Sequence, residues 1–92
     1  MIDVNAADDS PIIVASDPKT AARSRFSGLT KREREIALRV ARGERQSQMS
    51  KELGISTKTI QTHRERALVA LGVRTNQELA ILAFMAGYIS AP

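Results

Sequence analysis

The sequence predicts an all-α fold of four helices behind an N-terminal tail, the second and third helices joined as a helix-turn-helix. Three observations carry this reading. Apolar residues recur at helical spacing in four separate stretches from residue 28 onward. Gly43, Gly54, Gly72 and Gly87 each close one stretch, where a residue without Cβ suits the left-handed position past a helix end. Finally, Leu53-Gly54-Ile55-Ser56 leaves a turn of only three residues between one helix and the serine that caps the next.

Residues 1–27 show no sustained period and read as a tail, disordered or a short arm. Their one apolar run, Pro11-Ile12-Ile13-Val14-Ala15, suits a strand arm or the end of a longer domain. The folded domain is expected over residues 28–92. Its first helix spans about Lys31–Arg42, with Thr30 as N-cap and Glu33 three residues on, a capping box. Ile36, Ala37, Val40 and Ala41 form its apolar stripe. The second helix, about Gln46–Leu53, is short and turns Met49 and Leu53 inward.

The third helix, about Thr57–Leu71, starts behind Ser56. Ile60, Ala67 and Leu71 fall within about 40° of one another, with Leu68 alongside. Its opposite side carries Lys58, Gln61, Thr62, Glu65 and Val69, a polar face except for the valine. The fourth helix, about Asn76–Ala86, opens on a second capping box, Thr75 and Glu78, and is apolar all round. Leu79, Leu82, Ala83 and Ala86 face inward, leaving Ile81, Phe84, Met85 and Tyr88 as an apolar patch. Such a patch marks an interface, and homodimerisation through this helix is the simplest proposal. The alternative is that the N-terminal tail folds over it.

Charge and composition narrow the function. Residues 1–22 hold four aspartates and one lysine, net −3; residues 23–92 hold thirteen Lys/Arg and six glutamates, net +7, giving +4 in all. A basic domain of this size is drawn to polyphosphate. Phe26, Phe84 and Tyr88 are the only aromatic residues, too few for base-stacking platforms on RNA or single strands. With no cysteine and a single histidine, His63, neither a disulfide framework nor a protein zinc site is expected. No cofactor, membrane span or enzymatic activity is expected, and the expected location is cytoplasmic.

The ordered residues support a family resemblance. Leu29-Thr30-Lys31-Arg32-Glu33-Arg34-Glu35, Gly43, Leu53-Gly54-Ile55-Ser56, Thr59-Ile60-Gln61-Thr62-His63 and Leu71-Gly72-Val73-Arg74-Thr75-Asn76-Gln77-Glu78-Leu79 stand in order and without gaps. Residues 29–89 thereby resemble the LuxR-type (GerE-like) DNA-binding domain of bacterial response regulators and quorum-sensing regulators. The resemblance implies a four-helix domain whose third helix enters the major groove and whose fourth mediates dimerisation. It also implies a transcription regulator on pseudo-palindromic double-stranded sites, with RNA polymerase as a further partner. Lys58, Gln61, Thr62 and Glu65 match groove-facing positions, and the starts of the second and third helices match phosphate-holding ones. Three residues depart from the pattern: Ser50 replaces the usual alanine, Ala70 a common lysine, and Glu65 a residue that is basic in several relatives. The target sequence of a relative therefore does not transfer to this chain.

Residue by residue, Gln61 is the first choice for base readout, since its amide can pair bidentately with adenine. Thr62 offers a methyl or hydroxyl, Lys58 reaches guanine or phosphate, and Glu65 accepts from a cytosine amine. Phosphate contacts are assigned to Gln46, Ser56, Thr57, Arg64 and Arg66, with Arg45 and Gln48 as weaker candidates. Arg64 points inward, so its stem covers the core while its head reaches out to phosphate or to an acid on the first helix. His63 is expected at the edge of the third helix, hydrogen-bonded. Two other readings fit parts of the pattern: a sigma-factor region-four-like promoter module, and a truncated regulator that blocks a full-length relative by heterodimerisation. The chain is either a stand-alone regulator or a fragment.

Overall fold

The computed structural model describes residues 17–90, whose regular structure is entirely helical. Five helices follow one another: α1 (Pro18–Ser27), α2 (Lys31–Ala41), α3 (Gln46–Leu53), α4 (Thr57–Leu71) and α5 (Asn76–Met85). The last four are the expected helices, each within one residue of its expected span. The apolar run at residues 11–15 lies outside the described residues.

The first helix corrects the expectation of a tail for residues 17–27; residues 1–16 lie outside the described residues. Asp17 caps α1: its carboxylate accepts the backbone N–H groups of Lys19 at 3.1 Å and Thr20 at 3.3 Å, and the Thr20 hydroxyl at 2.6 Å. Pro18 follows at the first helical position, where its missing N–H costs nothing. Only Ala22 and Phe26, four residues apart, are buried. Two apolar contacts in ten residues give too faint a period to recognise, yet Phe26 is fully buried. Its ring meets Tyr88 edge-on, with centroids 5.0 Å apart.

α4 lies at the centre of the packing, against α1, α2 and α3, while α5 packs on α2 and α1. The core is apolar throughout: Phe26, Ile36, Met49, Ile60, Leu71 and Leu79 are its largest fully buried side chains, one or more from every helix. The predicted inward stripes of all four helices enter this cluster, with Leu53 at its margin.

The caps follow the sequence closely, with one difference. Thr30 and Glu33 form a complete capping box, each side chain bonded to the other's backbone N–H at 3.1 Å. Thr75 accepts from the Glu78 N–H at 3.0 Å, but the Glu78 carboxylate turns to the Arg74 N–H at 2.7 Å. The second box is thus displaced by one residue. At the other ends, Gly54 terminates α3 with φ 68° and Gly72 terminates α4 with φ 73°. Any side chain is strained there, and at Gly72 a Cβ would also crowd the Arg25 guanidinium at 3.1 Å.

Two arginines of α1 complete the frame. Arg25 donates to the Leu71 carbonyl and Arg23 to the Ala86 carbonyl, the latter at 3.1 Å. These are the last carbonyls of α4 and α5, which have no partner in their own helices and carry the negative end of the helix dipole.

Candidate nucleic-acid interface

The turn between α3 and α4 sets the geometry of the exposed face. The Gly54 and Ile55 N–H groups both donate to the Ser50 carbonyl, at 3.0 and 3.3 Å. The Ser50 hydroxyl returns the connection by donating to the Ile55 carbonyl at 2.5 Å. Ser50 therefore ties the turn from both its backbone and its side chain, which an alanine could do only by backbone. Ser56 then caps α4, its hydroxyl accepting the Thr59 N–H at 3.0 Å.

A charged cluster fixes α3 to α2. Arg39, only 16% exposed at its side chain, pairs with Glu44 at 2.7 Å and with Glu52. Gln48 also donates to Glu52, at 3.2 Å. These contacts hold the Glu52 carboxyl below its ordinary range, chiefly through the Arg39 hydrogen bond, and raise the Arg39 guanidinium, chiefly through Glu44. Gln48 is exposed, with its amide committed to Glu52 on the same helix.

With its inner side locked by Ile60, Ala67, Leu68 and Leu71, α4 exposes Lys58, Gln61 and Glu65 and leaves Thr62 half-buried. Gln61 donates its amide to the Glu65 carboxylate at 3.0 Å, and the Thr62 hydroxyl donates to the Lys58 carbonyl at 3.1 Å. Val69 extends the same face and is 80% exposed. The four residues assigned to base readout thus share one exposed strip.

The phosphate candidates separate. Ser56 and Thr57 are exposed at the start of α4, and Gln46 is half-buried at the start of α3. Arg45, the N-cap of α3, makes no side-chain capping bond. Arg66 is exposed and has no ion-pair partner among the described residues. Arg64 differs from expectation: its guanidinium donates to the Asn76 side chain at 3.1 Å, joining α4 to the start of α5. The inward angle foreseen for Arg64 is what brings it to this internal partner. His63 is half-buried, and its Nδ1 has no hydrogen-bond partner among the described residues, unlike the bonded histidine expected.

On α5, Ile81, Phe84 and Met85 remain 44–46% exposed and lie at helical spacing on the outer face. Tyr88 leaves the expected patch. Its ring packs on Phe26, and the Arg23 guanidinium sits over it 4.7 Å from the centroid. The helix that covers Tyr88 is α1, so among the described residues the alternative of an N-terminal cover holds for Tyr88.

Sequence reasoning missed Arg23, Arg25, Ser50 and the Arg39 cluster. A signal for α1 was present in Asp17-Pro18, an N-cap followed by proline at the first helical position. Nothing in the sequence marked which basic residues would be engaged internally.

A family model described as bacterial regulatory proteins, luxR family, matches residues 27–83. The chain belongs to that family. A luxR-family domain of this kind is a helix-turn-helix DNA-binding domain of transcription regulators, so DNA binding in transcription regulation is the function of this domain. The chain is similar to the transcriptional regulatory protein UhpA of Salmonella typhimurium, 44% identical over 59 residues that cover 64% of this chain and 30% of that protein. It is similar also to the response regulator GacA of Pseudomonas aeruginosa, 37% identical over 68 residues, 74% of this chain and 32% of that one. The response regulator UvrY of Escherichia coli is 32% identical over 68 residues, 74% of this chain and 31% of that one. The chain therefore spans about a third of the length of these curated relatives. No solved structure matches. The luxR-family match begins at residue 27, so α1 lies almost wholly outside it.

Proposed function

We propose that this luxR-family chain is a sequence-specific regulator that binds pseudo-palindromic double-stranded DNA as a homodimer, with α4 in the major groove. The observation that carries this reading is the exposed strip of Lys58, Gln61, Thr62 and Glu65 on a helix whose other side is locked into the core. A helix so held presents its side chains to base edges at fixed spacing. Arg66, Ser56, Thr57 and Gln46 would hold phosphates on either side of the groove. Arg64, tethered to Asn76, orients α4 on α5 and leaves the outward phosphate contact to Arg66.

Ile81, Phe84 and Met85 supply the dimer contact in this reading. A two-fold pair buries the same patch twice and places two copies of α4 on one side of the DNA, about 10 bp apart. A DNA-bound regulator of this kind acts in the cytoplasm and meets RNA polymerase there. The test is binding of the purified full chain to double-stranded genomic fragments and to a random pool at moderate salt. Selection of a two-fold-symmetric sequence is expected, and Gln61→Ala should cost about 1–3 kcal/mol on it and relax one base position. Equal affinity for all sequences would overturn the reading and favour a regulator that acts by pairing with another protein.

A further inference from the structure

The hydrogen bonds within the exposed strip of α4 decide which base edges it can read. Gln61 and Thr62 each commit one hydrogen within the strip. Gln61 gives one amide hydrogen to the Glu65 carboxylate at 3.0 Å, and Thr62 gives its only hydroxyl hydrogen to the Lys58 carbonyl at 3.1 Å. What remains facing outward is the Gln61 amide oxygen with one N–H, a free carboxylate oxygen of Glu65, and the methyl and lone pairs of Thr62. Lys58 is the one purely donating side chain of the four.

In the major groove, adenine N6 and cytosine N4 are donors, whereas guanine offers O6 and N7 and thymine O4, all acceptors. A carboxylate oxygen set against guanine O6 or thymine O4 brings two lone-pair groups together without a proton between them. That contact is repulsive, and it also strips water from a charge.

Resting on the groove-binding reading above, we propose that Glu65 is the specificity determinant of this domain. Its bond to Gln61 holds the glutamine amide with the oxygen outward. Together the pair selects bases that present an exocyclic amine in the major groove, adenine or cytosine, at the two positions facing it. Gln61 keeps one N–H for adenine N7 beside N6, so adenine is the better partner at its position. Glu65, an acceptor only, takes cytosine or adenine at its own. The negative charge also lowers affinity for every phosphate-lined groove while it raises discrimination, since the wrong base meets repulsion as well as lost bonds.

The test uses the full chain and the best duplex selected from a random pool. Selected sites should show adenine or cytosine at two positions of each half-site. Replacing those bases by purine for adenine, or 2-pyrimidinone for cytosine, removes only the amine and should weaken binding about tenfold at each position. Glu65→Ala should abolish preference at both positions while binding to unrelated DNA tightens, because a charge repelling phosphate is gone. Glu65→Arg should turn the preference at its position toward guanine. Sequence-selective binding in which neither the analogues nor the Glu65 variants move these two positions would overturn the assignment of Glu65 and leave the groove-binding reading intact. Absence of any sequence-selective binding would overturn both.

Discussion

Replacing Phe26 by alanine tests whether α1 is part of the folded domain. Phe26 is fully buried, its ring centroid lies 5.0 Å from that of Tyr88, and it sits within one turn of Arg23 and Arg25, which cap α5 and α4. A Phe→Ala change in a core costs about 3–5 kcal/mol from lost transfer energy and the cavity left behind. A domain of roughly 75 residues has about 4–11 kcal/mol of stability in total, at about 0.05–0.15 kcal/mol per residue. The substitution should therefore remove a large part of it, and lower Tm by about 12 °C or more at about 4–8 °C per kcal/mol. Urea unfolding followed by far-ultraviolet circular dichroism gives the helical transition. The chain has one tyrosine and no tryptophan, so the near-ultraviolet tyrosine signal reports on Tyr88 alone. Both transitions should shift together, and Phe26→Leu, which loses the ring contact while keeping most of the volume, should cost about 1 kcal/mol. A loss below about 0.5 kcal/mol for Phe26→Ala, the range of an exposed position, would refute the docking of α1 and restore the tail.

Other expectations follow from the same structure. Arg66→Ala should weaken binding to all sequences alike and lower the slope of log affinity against log salt by about 1, measured by titration across salt concentrations. Phe84→Glu puts a charge into the exposed patch of α5, so sedimentation should show fewer dimers with unchanged helix content; an unaltered dimer would move the interface elsewhere. Acid should destabilise the fold. The Asp17 carboxyl, held down first by the Thr20 hydroxyl and then by backbone N–H groups, and the Glu52 carboxyl, held down by Arg39 and then Gln48, both titrate below their ordinary values of 3.8 and 4.5. Their contribution is complete above those ordinary values and is lost as pH falls through the lower folded ones. A Tm that declines across that window, less steeply in Asp17→Asn, is the expected result.

The distribution of roles explains what could be read in advance. Four helices were legible because periodic apolar stripes, side-chain caps and closing glycines are local signals, and each predicts the same boundary. The outward set Lys58, Gln61, Thr62 and Glu65 was legible for the same reason, since a helix of known phase has a known outer side. The Asn76 partner of Arg64 and the packing of Tyr88 were not legible because both depend on elements farther along the chain. Arg64 finds Asn76 twelve residues away, and Tyr88 finds Phe26 across the whole domain. Period and charge cannot reveal such partners.

The sequence by itself determined the four helices, the helix-turn-helix and the luxR-family membership, because propensity, capping and order act over a few residues at a time. The state of the reading face is likewise local to α4: Gln61 and Glu65 stand four residues apart on one helix, and their bond commits one Gln61 amide hydrogen. Tertiary structure alone decided that α1 docks, that Arg23 and Arg25 close the ends of α5 and α4, and that Ser50 ties the turn to Ile55. The physical reason is that a hydrogen donor can be given only once, and which acceptor receives it is settled by geometry in three dimensions.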